Sequence, residues 1–88
     1  MAYVYILQSK RNQRFYIGST NDLARRLKEH NTGKHHMSKR LQPLKLIFQQ
    51  EYQDIADARK IEMKLKKLKR KDYILKIIQD GKIRMRTD

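Results

Sequence analysis

Two short runs rich in β-branched and aromatic residues, Tyr-Val-Tyr-Ile-Leu-Gln at 3–8 and Phe-Tyr-Ile at 15–17, flank the polar stretch Lys10-Arg11-Asn12-Gln13. Such runs favour extended backbone, because branched and aromatic side chains suit a pleated, half-buried surface. Only a tight reversal fits between them, so the pair reads as an antiparallel hairpin. A four-residue loop closed by Ser9 and Arg14 sets Tyr5 opposite Gly18 and Leu7 opposite Tyr16. Directly opposed residues share a face of the sheet, so Tyr5 and Tyr16 project from the same side. Any even loop length keeps that shared face.

Further along, helix and strand signals alternate. Asn21 is placed to cap a helix over residues 22–31, with Asp22 in its first turn and Gly33 as its stop. Residues 34–42 are polar and basic, hold two histidines, and read as a mobile loop. Pro43 precedes a third strand at 44–52. Asp54 caps a helix through about Leu68, helped by Asp57. Along it Ile55, Ala58, Ile61, Leu65 and Leu68 form an apolar stripe. A last helix covers 71–80, with Tyr73, Ile74, Ile77 and Ile78 inward and Gly81 at its C′ position. The order is ββαβαα. It implies an α+β fold in which a small antiparallel sheet is covered by helices. One domain, residues 1–81, is expected, followed by a basic flexible tail at 82–88.

The 88 residues include no cysteine. That length supports a single modest core, and neither a disulfide nor a thiolate zinc site can staple it. Lys and Arg number 22 against 9 Asp and Glu, a net charge of +13. Solubility needs only about 2–8 charges on a small domain. The excess concentrates polyanions and favours counterion release from a phosphate backbone. Nucleic acid is therefore the expected partner, with ribosomal-type packing and anionic membranes as competing readings. No apolar run approaches the ~20 residues of a membrane span, and the N-terminus turns polar too soon for a signal peptide. The expectation is a soluble, cytoplasmic protein without a membrane partner.

Several polar residues lie where core is expected. Arg26 and His30 fall with Leu23 and Leu27 inside an arc of roughly 100° on the first helix. Arg26 either snorkels from the core edge or presents a planar fork of donors to a phosphate. His30 is either a satisfied core-edge histidine or part of the same site. Glu62, roughly 80° from the stripe centre of its helix, is either an ion-pair partner of Lys66 at i+4 or a ligand for one hard divalent cation. Tyr3, Tyr52 and Tyr73 read as ordinary structural tyrosines. Gly18 weakens its strand unless something approaches closely, and a substrate backbone passing over it is the expected reason. In the basic loop, Lys34, His35, Lys39 and Arg40 are candidate nucleic-acid contacts.

Tyr3-Val4-Tyr5, then Phe15-Tyr16-Ile17-Gly18-Ser19-Thr20-Asn21-Asp22-Leu23, Arg26-Leu27, His30-Asn31 and Glu62 in Ala58-Arg59-Lys60-Ile61-Glu62 together resemble the GIY-YIG nuclease superfamily. The likeness spans residue 2 to about residue 78 and is similar to that of small single-domain bacterial members. It implies a three-stranded antiparallel sheet flanked by helices, and phosphodiester hydrolysis dependent on one Mg²⁺ or Mn²⁺. It further implies that Tyr5 and Tyr16 are the nucleophile or general base and its partner. By the same resemblance Arg26 supports the phosphate, Glu62 is the sole protein ligand of the metal, and His30 orients or relays a proton. The first triplet lacks its leading glycine, and the family's late asparagine has no counterpart after Asn31. A phenol of pKa about 10 is a poor base at neutral pH, so Arg26 and a metal at Glu62 are expected to depress it.

The leading functional reading is a structure-dependent DNA endonuclease with a role in repair or recombination. Its rival is a non-catalytic basic module that binds DNA or RNA. A third reading is a nuclease subunit that relies on a separate targeting protein, since the chain holds no second DNA-binding domain.

Overall fold

In the computed structural model, which describes residues 1–11, 13–31, 44–68 and 70–84 (for His30 and Asn31 the backbone alone), strand β1 (Ala2–Ser9) is the centre of a three-stranded sheet. Strands β2 (Phe15–Thr20) and β3 (Leu44–Tyr52) flank it, both antiparallel. Helix α1 (Leu23–Asn31) joins β2 towards β3, and α2 (Ile55–Leu68) and α3 (Lys71–Asp80) follow. The architecture is α+β in the order ββαβαα.

The hairpin register is the one that the loop length requires: Tyr5 pairs with Gly18 and Leu7 with Tyr16. Ser9 N–H donates to the Arg14 carbonyl and Gln13 N–H to the Ser9 carbonyl, each at 3.0 Å. Gln13 turns the chain at φ 64°.

As the central strand, β1 is buried on both faces, which is why it reads as a near-continuous apolar run. Val4 and Ile6, fully buried, face Ala58, Ile61, Leu65, Ile74 and Ile77. Tyr5 and Leu7 face the other way, with Leu44, and against Tyr16, Leu23, Leu27 and Leu46. Strand β3 serves both sides by means of a bulge. Leu7 pairs with Leu46 but Ile6 with Phe48, leaving Ile47 as the extra residue. Leu44 and Leu46 therefore join one cluster and Phe48 the other, although strict alternation would keep all three together.

Helix ends follow local chemistry, with three differences from expectation. Asp22 rather than Asn21 caps α1: its Oδ1 accepts from Arg25 N–H at 3.1 Å. The helix starts one residue later for that reason. Asp54 caps α2 as expected, accepting from Asp57 N–H at 2.9 Å. Leu68, the last member of the apolar stripe, is exposed. Gly81 closes α3 in the left-handed conformation, φ 79°, its N–H on the Ile77 carbonyl at 2.8 Å. Within the tail expected from residue 82, Ile83 is anchored to the domain: it is buried, and its N–H donates to Gln50 Oε1 of β3 at 2.7 Å. Among the described residues no helix is long and apolar enough to cross a membrane.

Candidate active site

Strand β2 forms one edge of the sheet, and helices α1 and α2 reach that edge from opposite faces. Thr20 sets the turn into α1: its Oγ1 accepts from Asp22 N–H at 3.0 Å. That short connection delivers Arg26 one helical turn later, beside Leu23 and Leu27. Glu62 arrives from α2, whose buried Ala58, Ile61 and Leu65 dock it on the sheet.

At this edge a cleft of about 300 Å³ is lined by Tyr5, Tyr16, Ile17, Gly18, Ser19, Arg26, Arg59, Glu62 and Lys66. The structure thus brings together Tyr5, Tyr16, Arg26 and Glu62 from four different elements. Backbone geometry carries His30 on α1, while its side chain lies outside the described residues, as do Lys34, His35, Lys39 and Arg40.

Gly18 has a reason within the fold itself. The Tyr5 ring lies across it, and a Cβ at Gly18 would stand 2.5 Å from Tyr5 Cζ. Real carbon atoms do not approach so closely without displacement. The close neighbour over Gly18 is this chain's own phenol. Gly18 still lines the cleft, but as the floor that lets Tyr5 extend to the sheet edge.

Burial pushes the Tyr5 phenol above its ordinary value, because the anion loses its hydration. A hydrogen bond from Arg26 and its positive charge act in the opposite direction, while Tyr16 and Glu62 add to the upward push. Burial wins. Arg26 alone does not offset that burial, so the expected depression of the phenol depends on the second cation as well.

Glu62 is engaged on both oxygens. Ser19 Oγ donates to Oε1, and Lys66 Nζ lies 2.5 Å from Oε2. The i+4 ion pair is real, and the same carboxylate also faces the cleft. Arg26 is steadied from its own helix by Glu29, 3.8 Å from Nη1. Glu29 also pairs with Arg25 at 3.4 Å. Three cations, Arg26, Arg59 and Lys66, face the cleft against one carboxylate, so an anion entering it meets net positive charge.

Sequence reasoning passed over Ser19 and Arg59 and took Lys66 only as a surface partner. Arg59 precedes Glu62 by three residues, a spacing that puts both on one helix face. That spacing was the available signal. For Ser19 the only signal was its place directly after Gly18.

The model of the GIY-YIG catalytic domain matches residues 1–74 of this sequence. The chain belongs to the GIY-YIG family. It is 41% identical over 70 residues to a UPF0213 protein of Streptococcus pneumoniae serotype 4, spanning 78% of this chain and 70% of that relative. To the UPF0213 protein YazA of Bacillus subtilis it is 39% identical over 70 residues, with the same coverage of both chains. The solution NMR structure of the UPF0213 protein BH0048 from Bacillus halodurans superposes with a TM-score of 0.57 at 30% identity. That alignment covers 92% of this chain and 87% of the other. This chain is accordingly a small GIY-YIG member, a family whose domain is a nuclease domain that acts on nucleic acid.

Proposed function

We propose that this chain hydrolyses phosphodiester bonds of nucleic acid, DNA in the first place, in the cleft at the β2 edge. The observation that carries the reading is the convergence of two phenols, a guanidinium and a carboxylate in one net-positive cleft. Arg26 offers donors in a planar fork to the non-bridging phosphate oxygens, and its charge favours the transition state more than the ground state. Tyr5, once deprotonated, accepts a proton from the attacking water as the water oxygen bonds to phosphorus. The P–O bond to the leaving oxygen breaks, and that oxygen takes up a proton from solvent. Tyr16 is its partner across the hairpin, and His30 is the proposed relay.

Glu62 fits one hard cation. Among the described residues it is the sole carboxylate lining the cleft, and it already holds the Lys66 ammonium on Oε2. Lys66 is exposed enough to swing away. Among the described residues no group of three His, Cys, Asp or Glu gathers, so waters and substrate oxygens would complete the shell. A bound Mg²⁺ or Mn²⁺ would offset charge growing on the phosphate and lower the pKa of neighbouring hydroxyls, the second push that the buried Tyr5 needs.

The test is cleavage of branched, nicked and single-stranded DNA by purified protein with Mg²⁺ or Mn²⁺. Glu62→Ala should abolish cutting, and Arg26→Ala should slow it by about 10²–10³-fold, while salt-sensitive binding persists in both. Cutting at the wild-type rate by the Glu62→Ala protein sinks the metal assignment. A second reading keeps the binding and drops the chemistry, and the buried, neutral Tyr5 phenol favours it. No cleavage with any divalent ion, beside intact binding, would establish that reading. A part in repair or recombination, and recruitment by a separate targeting protein, belong to the same proposal. Lys34, His35, Lys39 and Arg40 complete it as backbone contacts.

A further inference from the structure

Next to the cleft, β2, α2 and α3 enclose a second groove of about 350 Å³. A volume in this range suits a small organic group, since ligand pockets run from about 300 to 1,000 Å³. Its floor is apolar: Phe15 and Ile17 from β2, Leu65 from α2 and Ile74 from α3. Its rim is cationic, formed by Arg14, Lys66, Arg70 and Lys71, and among the described residues no carboxylate lines it. Ile17 and Lys66 line both groove and cleft, so the two are continuous along the β2 edge. Lys71 Nζ stands 5.9 Å from the centre of the Phe15 ring, within the range of a cation–π contact. Lys66 and Arg70 are held by Glu62 and Asp72, whereas Lys71 is turned towards the ring.

We propose that this groove takes one unpaired nucleobase of the substrate, stacked on Phe15, with the adjoining phosphate met by the rim cations. The inference rests on reading the cleft as the site of the cleaved phosphate. A strand that places a phosphate between Arg26 and Glu62 can continue past Ile17 into this groove, because Ile17 and Lys66 border both. Along that path it meets an apolar floor carrying an aromatic ring inside a positive rim, which matches the alternation of flat base and charged phosphate within a nucleotide. Aromatic platforms beside basic grooves bind single strands with little sequence preference, because every base has a π-face. A base inside a duplex reaches such a floor only by leaving its stack, and a mismatched or single-stranded base does so most readily. The groove thereby biases the site towards strands with an unpaired nucleotide beside the scissile bond.

The probe is a short DNA strand with one 2-aminopurine, offered single-stranded and as a perfect duplex, to the metal-free protein in EDTA. Anisotropy reads binding, and 2-aminopurine quenching reads stacking. Wild type is expected to bind the single strand more tightly and to quench it. Phe15→Leu keeps the floor apolar but removes the flat ring. It should weaken single-strand binding roughly 5- to 100-fold and abolish quenching, while duplex binding and the melting temperature hold. Lys71→Gln should weaken single-strand binding by a smaller factor. Unchanged quenching and affinity in Phe15→Leu overturns the base site. So does displacement of the probe by an acidic Glu/Leu helical peptide at lower concentration than by an oligonucleotide of equal charge, which would assign the groove to a protein partner. The two proposals fail separately. Phe15-dependent quenching without cleavage under Mg²⁺ or Mn²⁺ removes the nuclease reading alone, and cleavage with Phe15-independent binding removes the base site alone.

Discussion

Under α2 and α3 the sheet meets Ala58, Ile61, Leu65, Ile74 and Ile77, a predominantly aliphatic layer. Under α1 it meets a thinner layer of Leu23 and Leu27, and beside them the guanidinium of Arg26. Among the described residues the first face buries ten in one cluster and the second three, so of that packing the larger hydrophobic share lies on the first. That unequal division lets the second face hold a desolvated phenol and a half-buried cation without unfolding a small domain. Stability and chemistry are carried by opposite sides of one strand.

Substitutions that strike one side at a time can break this comparison. The largest effect is expected from Ile61→Ala, a fully buried position. Such truncations remove about 2–5 kcal/mol from a native stability that is typically about 5–15 kcal/mol. Urea denaturation reads it directly. Arg26→Ala should do the reverse, lowering turnover by about 10²–10³-fold with less than about 1 kcal/mol lost in the same titration. Comparable unfolding by both variants would show that the faces are not specialised. Gly18→Ala sits between them. The new methyl must displace the Tyr5 ring, at about 1–3 kcal/mol as overpacking generally costs, and the hydroxyl then leaves Arg26. Activity should fall further than stability.

The smallest effect is alkaline. Below pH about 10 the Tyr5 phenol is neutral in both folded and unfolded chains. Above it the unfolded chain ionises first, because burial holds the folded phenol at a higher pKa. Stability is thus complete below the unfolded value and falls as pH rises towards the folded one. Tyr5→Phe should flatten part of that decline in melting temperature. Tyr52, also raised by burial, leaves a remainder. An equally steep decline in Tyr5→Phe would show that the phenol is not desolvated.

Much of the frame could be read from the sequence because it depends on local chemistry. The hairpin register followed from the loop between Ser9 and Arg14, and the ends of α2 and α3 from Asp54 and Gly81. The apolar stripe on α2 located Ile61 and Leu65 correctly. The family likeness named the four groups that meet in the cleft, while periodicity alone left Arg26 and Glu62 each with two readings. What escaped depends on distance across the fold. Ser19 reaches Glu62 over 43 positions, and no spacing rule encodes that. The steric reason for Gly18 escaped because the ring above it comes from the neighbouring strand. Net electrostatics at Tyr5 also needed burial to be known, since a nearby arginine suggests the opposite sign. Ile83 looked like tail because its anchor, Gln50, is a polar residue on a remote strand.

The extra residue at Ile47 acts as a phase switch. Upstream of it, even-numbered side chains of β3 serve the layer beside α1, and downstream they serve the layer beside α2 and α3. Deleting it would force Leu44 and Leu46 towards the aliphatic layer and remove two of the leucines that back Tyr5, so a change remote from the cleft would withdraw the support beneath its central phenol.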